Sequence, residues 1–199
     1  MSKPHLDFWF DFSSVYSFLS AMRISPLAKE AGVDVTWKPF LLGPIFVAQG
    51  MKDSPFNLFP VKGQHMIRDV KRTAQDIGVG FTWPDKFPQS SVLAARVGIV
   101  GLKERWGQDF SRAVFVAEYS DNKDISDQAV IAGILTKLNV PVEATAAKAQ
   151  SDEVKGALRD NTAEAQKRGF FGAPTFTTRD GELFWGNDRL EQALRWAKK

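Results

Sequence analysis

The stretch that decides the fold is LDFWFDFSSVYSFL, residues 6–19. Its first part, Leu6–Phe10, is short, largely apolar and rich in aromatic residues, which is typical of a buried β-strand. After a polar turn, apolar residues recur mostly at three-to-four-residue spacing from Val15 to Ala31. This spacing predicts a helix that ends at Gly32, with a kink or break at Pro26.

The flanking segments extend this strand and helix into a mixed fold. Residues 33–40 begin with an alternating pattern and predict a second strand, which makes the opening β-α-β. Residues 41–60 are rich in Gly and Pro and predict a loop. Near the end of the chain, residues 174–178 and 183–185 predict a β-hairpin, and residues 188–196 predict a closing helix.

The middle of the chain has helical patterns and hardly any strand signal. The predicted helices cover residues 62–78, 90–106, 108–120, 126–139 and 151–168, with a short further segment after Pro141. This order of elements predicts an α/β fold, a thioredoxin-like domain with an all-helical insertion. The thioredoxin-like domain would span residues 1–60 and 168–199, and the helical insertion residues 61–167.

Composition excludes several classes of function. Twenty-six Lys and Arg against 23 Asp and Glu leave a net charge of only +3, too small for a nucleic-acid or anionic-membrane footprint. No stretch is long and apolar enough for a membrane span or a signal peptide, so we expect a cytoplasmic protein. With no cysteine and two histidines in 199 residues, we expect no disulfide, thiolate nucleophile or metal site.

Ser13 and Ser14 lie where the first strand ends and the first helix begins. The plain interpretation is that one serine caps the helix. The functional one is that the hydroxyl, near the positive end of the helix dipole, donates to a thiolate or oxyanion and lowers the pKa of a thiol. The two roles can coexist, and no G-x-S-x-G motif marks the serine as a nucleophile.

Three further positions have both an ordinary and a functional interpretation. Base rates favour a trans Ala173-Pro174 bond, but the residues alone leave both isomers open, and a cis bond would let the backbone of Ala173 pair with an extended peptide. Asp188 and Glu191 fit a capping box, or alternatively a site in which Asp188 binds the ammonium of an amino acid. Lys62 is an ordinary surface charge or a ligand for an anion.

Three motifs in matching order resemble a known family. DFSSVYSFL (11–19), FGAPT (171–175) and WGNDR (185–189) resemble the 2-hydroxychromene-2-carboxylate isomerases and the kappa-class glutathione transferases. The similarity includes PFLLG (39–43) and PVKG (60–63) and runs nearly end to end. These proteins belong to the thioredoxin-like group that also contains DsbA, so the resemblance implies a DsbA-like fold.

The resemblance implies a glutathione site around the first helix. Ser14 matches the family serine that replaces a redox cysteine and hydrogen-bonds the glutathione sulfur, although Val15 stands where the family usually has proline. The backbone of Ala173 and Pro174 matches the cis-proline loop that pairs with the cysteinyl part.

The resemblance also implies ligands for the two ends of glutathione. Asn187 and Asp188 match the residues that hold the γ-glutamyl end, and Lys62 matches a lysine near the glycyl carboxylate. Asn57 matches a family asparagine if the intervening loop is shortened.

The function implied is that of a glutathione-dependent isomerase. It would interconvert 2-hydroxychromene-2-carboxylate and trans-o-hydroxybenzylidenepyruvate, or a similar aromatic-degradation intermediate, by reversible addition of the glutathione thiolate. Glutathione would be the cofactor, a small aromatic acid the substrate, and a homodimer the expected assembly. A chain without cysteine agrees, because it cannot perform dithiol exchange itself. The alternatives are a kappa-like transferase or peroxidase and a non-catalytic binding module.

Overall fold

One four-stranded sheet forms the frame of the protein. The computed structural model describes residues 3–199. The strands are β1 (His5–Phe10), β2 (Asp34–Pro39), β3 (Thr175–Thr178) and β4 (Leu183–Trp185), in the spatial order β2-β1-β3-β4. β1 pairs with β2 in parallel and with β3 in antiparallel register, and β4 extends the antiparallel side.

Helices supply the rest of the fold. They are α1 (Val15–Ala31), α2 (Leu42–Ala48), α3 (Pro55–Leu58), α4 (Pro60–Asp76), α5 (Val92–Lys103), α6 (Gly107–Tyr119), α7 (Gln128–Lys137), α8 (Val142–Ala149), α9 (Asp152–Lys167) and α10 (Leu190–Trp196), with a short 3₁₀ turn at Asn187–Arg189. The strands come from the two ends of the chain and helices fill the middle, which confirms the predicted fold class. The boundaries of the insertion stay a prediction. Within residues 3–199, every helix is too short or too polar to cross a bilayer.

Strand β1 explains why the sheet is covered on both faces. Phe8 and Phe10 belong to the main core on the face of α1, whereas Trp9 belongs to a second cluster with Phe40 and Phe170. All three β1 residues are fully buried. Because successive side chains of a strand point to opposite faces, an aromatic run of this kind needs helices on both sides. Burying one such ring contributes about 1.5–3 kcal/mol.

One predicted element is wrong, and one of two alternatives given for another does not occur. The predicted loop at 41–60 contains α2 and α3. Leu42 and Ile45 are buried in the Trp9 cluster, and this burial outweighs the Gly and Pro content of the segment. Pro26 does not break α1, which continues through it as far as the left-handed cap Gly32. The cap itself is as predicted.

Candidate functional site

Ser14 is the N-cap of α1 and also a link between two distant parts of the chain. Its hydroxyl oxygen accepts a hydrogen bond from the Ser17 N–H at 3.2 Å, which confirms the capping role. The same hydroxyl donates to the carbonyl oxygen of Ala173 at 2.8 Å. Ser14 is 7% exposed, so its side chain has few other groups to contact.

The segment before β3 presents a backbone donor and a backbone acceptor. The Ala173-Pro174 bond is cis, as the match to the family's cis-proline loop implied, although base rates favour trans. The base rate describes an isolated X–Pro bond, which lacks the tertiary contacts present here on both sides. The Ala173 carbonyl accepts from Ser14, and the Pro174 carbonyl accepts from the Gly186 N–H at 3.0 Å. In residues 3–199 the Ala173 N–H donates to no group.

A buried carboxyl holds the turn that carries the serines. Asp11 accepts hydrogen bonds from the backbone N–H of Ser13 at 3.0 Å and of Leu42 at 2.6 Å. Burial raises the pKa of Asp11, and these hydrogen bonds oppose the rise. The Ser13 hydroxyl donates to the Gln89 carbonyl at 2.5 Å. Helix α2 and the segment before α5 therefore fix the turn together.

Tyr16 connects this turn with α4 and with the 3₁₀ turn. Its hydroxyl donates to Asp69 on α4 at 2.9 Å. Burial raises the pKa of Tyr16, the hydrogen bond to Asp69 adds to the rise, and the negative charge of Asp188 raises it further. Asp69 and Asp188 thus place two carboxylates around the first turn of α1, where Arg72 pairs with Asp69 and Arg189 with Asp188, each at 3.3 Å.

Asp188 does not act as a helix cap, so the capping-box interpretation is wrong. Its carboxylate is 72% exposed and lies 3.3 Å from Arg189 Nη1, and α10 has no side-chain N-cap. Glu191 accepts instead from Arg23 at 2.5 Å. Gly186 has φ +109°, a backbone angle that favours glycine, and a Cβ there would also lie 2.5 Å from Asp188 Oδ1 and displace this carboxylate.

Asn187 is turned inward. It is 7% exposed, and its side-chain oxygen accepts from the Ser20 hydroxyl at 3.0 Å. Its backbone carbonyl accepts from Arg23 at 3.3 Å. These contacts fasten the 3₁₀ turn to α1 and thereby position the neighbouring Asp188.

Lys62 and Asn57 are exposed on the surface, and within residues 3–199 neither forms a hydrogen bond or ion pair with Ser14. Lys62 is exposed in the first turn of α4 and forms no ion pair with any residue of the described chain. Asn57 is exposed on α3, where its amide donates to both carboxylate oxygens of Asp53 at 3.1 Å. The structure therefore joins Ser14, Ala173 and Pro174, and shows no contact from Lys62 or Asn57 to them.

Two half-exposed aromatic rings flank Ala173. Phe171 and Trp185 are 47% and 48% exposed, and their ring centroids lie 4.8 Å apart in an edge-to-face arrangement. A Cβ at Gly172 would lie 2.3 Å from the Trp185 indole nitrogen, so only glycine lets the indole lie against this backbone. We call Phe171 and Trp185 the aromatic shelf.

Sequence reasoning gave no role to several of these residues. Asp11 stands in the quoted family motif, which was an available signal. Phe171 and Trp185 of the aromatic shelf likewise begin two of the quoted family motifs. Gln89 and Asp69 have no local signal, because each is defined by a partner far away in the chain.

Comparisons with known proteins agree with this architecture. The model of the DSBA-like thioredoxin domain matches residues 5–195. The chain is 30% identical over 190 residues to a 2-hydroxychromene-2-carboxylate isomerase of Sphingobium xenophagum, covering 94% of each chain. It is 28% identical over 198 residues to glutathione S-transferase kappa 2 of Caenorhabditis elegans, covering 93% of this chain and 88% of that one.

A solved structure has the same fold as this protein. A 2-hydroxychromene-2-carboxylate isomerase superposes with a TM-score of 0.86 at 26% identity, covering 98% of this chain and 94% of that chain. The protein therefore belongs to the DsbA-like thioredoxin family, among relatives that include the 2-hydroxychromene-2-carboxylate isomerases and the kappa-class glutathione transferases.

Proposed function

We propose that the protein is a glutathione-dependent isomerase. It interconverts 2-hydroxychromene-2-carboxylate and trans-o-hydroxybenzylidenepyruvate, or a closely similar aromatic acid. The observation that carries this proposal is the position of the Ser14 hydroxyl at the start of α1, in contact with Ala173, in a chain without cysteine. The relatives named as this isomerase, at 30% and 26% identity over more than nine-tenths of the chain, support it.

The residues around Ser14 fit a cysteinyl peptide. Ala173 offers an N–H that has no partner in residues 3–199 and a carbonyl that only a hydroxyl occupies. An extended peptide can pair with both groups as an added strand does. The first turn of α1 adds N–H donors and the positive end of a helix dipole, which favour a thiolate over a thiol.

The outer ligands follow from charge. Asp188 would bind the ammonium of the γ-glutamyl end, and Asp69, which accepts the hydrogen bond of Tyr16, is a second carboxylate near Tyr16. Asn187 holds the 3₁₀ turn in place through its hydrogen bond with Ser20. Lys62 would take the glycyl carboxylate, with Asn57 beside it on α3.

When bound, glutathione supplies a thiol that adds reversibly to the substrate and is recovered unchanged. The Ser14 hydroxyl and the α1 amides hold that sulfur in its anionic form. The aromatic shelf offers two exposed rings on which a flat aromatic acid can stack next to Ala173.

The test is to incubate the protein with 2-hydroxychromene-2-carboxylate, with and without glutathione. We expect isomerisation that requires glutathione and leaves its thiol content unchanged. Binding of glutathione without turnover of any aromatic acid would instead indicate a non-catalytic binding module.

A kappa-like glutathione transferase or peroxidase is the second candidate. It is supported by the 28% identity to a kappa transferase, and it would use the same site. The two functions differ in the fate of the thiol. A transferase consumes it with electrophiles and a peroxidase oxidises it, whereas an isomerase returns it.

The proposal includes a homodimer in the cytoplasm. The segment from α2 to α4 exposes the apolar side chains of Val47, Leu58, Phe59 and Val61, which a second copy could cover. Reduced glutathione is maintained in the cytosol, where such an enzyme would find its cofactor. Light scattering of the protein in solution tests the dimer, and a monomer at all concentrations would overturn it.

A further inference from the structure

A cavity of about 390 Å³ opens between α2, α5 and α9. Leu41, Pro44, Val92 and Leu158 form its apolar wall. Ser14, Ala173 and Asp188 are not among its lining residues, so the glutathione site proposed above does not account for it. Small-molecule sites in proteins have volumes of about 300–1,000 Å³ and mostly apolar walls, and this cavity has both properties.

Three cations stand around the apolar wall, and no carboxylate does. Arg96 comes from α5, and Lys155 and Arg159 come from α9. Within residues 3–199 none of the three forms an ion pair, whereas twelve ion pairs occur elsewhere. Cations that converge on one cavity without acidic partners raise the local potential for an anion.

The guanidinium of Arg96 is only partly satisfied by hydrogen bonds. Its Nε is buried and has no hydrogen-bond partner among the described residues, and its Nη1 reaches only the Gln150 side chain at 3.5 Å. A buried charged donor without an acceptor is costly. Arg96 also lines the cavity, where a carboxylate can accept from the terminal nitrogens of a guanidinium and supply the counter-charge that the structure does not.

We propose that this cavity binds a small aromatic carboxylate of one or two rings. The carboxylate is held by Arg96, with Lys155 and Arg159 at the rim, and the ring packs against Leu41 and Leu158. The combination of an apolar wall and an unneutralised cation cluster selects this class, because a neutral ring leaves the three cations without a counter-charge. A small inorganic anion leaves the wall uncovered. The inference does not depend on the isomerase proposal.

The experiment uses 2-naphthoate as the probe, and 2-naphthamide and acetate as its neutral and ring-free counterparts. Affinity is measured by calorimetry, and the site is located by amide chemical-shift changes in the full-length protein. The variants are Arg96→Gln and Arg159→Gln. Arg159 is the more exposed of the two residues, so its variant tests the inference even if Arg96→Gln fails to fold. Lys137→Gln on α7 is the matched control, since it removes one exposed cation elsewhere.

We expect 2-naphthoate to shift the amides of Leu41, Val92 and Thr162, and to bind at least tenfold more tightly than either counterpart. Arg96→Gln should weaken binding at least tenfold and Arg159→Gln should weaken it less, while Lys137→Gln leaves it unchanged. The inference is wrong if shifts are confined to Ser14 and Ala173. It is equally wrong if the probe does not bind, or if the cavity variants bind as well as the control.

Discussion

The hydroxyl of Ser14 donates a hydrogen bond to the carbonyl oxygen of Ala173 at 2.8 Å, across 159 positions of the chain. A serine hydroxyl has one proton, so it cannot donate to this carbonyl and to a sulfur at the same time. The Ser14 hydroxyl can therefore donate to a thiolate only if another donor replaces it at the Ala173 carbonyl. In the proposed complex that donor is the cysteinyl N–H of glutathione itself.

Glutathione methylated on its cysteinyl nitrogen tests this exchange. It lacks the N–H that would take over the Ala173 carbonyl, so Ser14 should stay bonded there and the pKa of the bound thiol should be higher than with glutathione. The measurement is a titration of thiolate absorbance in the complex. Glutathione methylated on its glycyl nitrogen is the control, and equal thiol pKa values for the two analogues would contradict the exchange.

The Ser14→Ala variant removes the proposed donor together with the helix cap. Loss of a cap costs about 0.5–2 kcal/mol of unfolding free energy, which leaves the fold intact. The pKa of bound glutathione should rise and turnover should fall about a hundredfold, the effect of losing one preorganised donor to a developing anion.

Ser13→Ala is the matched control for that variant. Its hydroxyl donates to the Gln89 carbonyl and not to Ala173, so this variant should lose stability but keep the thiol pKa of the complex. If the two alanine variants change the thiol pKa equally, Ser14 has no special role.

Asp188→Asn tests the charge that would hold the γ-glutamyl ammonium. A hydrogen bond to a charged group contributes about 1.5–3 kcal/mol, so the Kd for glutathione should rise about tenfold to a hundredfold. The turnover rate at saturating glutathione should change much less, because Asp188 is exposed and does not contact Ser14. Asp76→Asn, at the exposed end of α4, should change neither quantity, and a fall in saturated turnover alone at Asp188 would argue against binding.

Glu118 should make stability depend on pH. It is fully buried in α6, neither carboxylate oxygen has a hydrogen-bond partner within residues 3–199, and burial raises its pKa well above the ordinary value. Folding therefore favours the protonated form. The contribution of Glu118 to the free energy of unfolding should be greatest at pH values below the ordinary glutamate pKa of about 4.3, and should be lost as the pH rises toward the raised pKa.

The Glu118→Gln variant cannot ionise and should lose less stability between about pH 5 and pH 8 than the unmodified protein. Chemical denaturation at a series of pH values measures this difference. Glu143→Gln, at an exposed position in α8, should keep the original pH dependence. Parallel curves for the protein and the Glu118 variant would show that Glu118 does not cause the loss.

Short-range features of the chain were predictable from its residues alone. The strand at Leu6–Phe10, a serine cap at Ser13 or Ser14 and the helix end at Gly32 each depend on neighbours within one strand or one helical turn, and the structure contains all three, with Ser14 as the cap. Backbone geometry and side-chain periodicity act over that range. The order of such segments then sufficed for the fold class.

What the residues alone determined was thus a cysteine-free thioredoxin-like frame with a serine at the start of its first helix. Only the tertiary structure decided that Ser14 donates to Ala173, that Ser13 donates to Gln89 across 76 positions, and that the Nε of Arg96 is buried without an acceptor among the described residues. The physical reason is that these are hydrogen bonds and charges in a packed interior. Their partners are chosen by the way the sheet and helices meet and not by any neighbour in the chain.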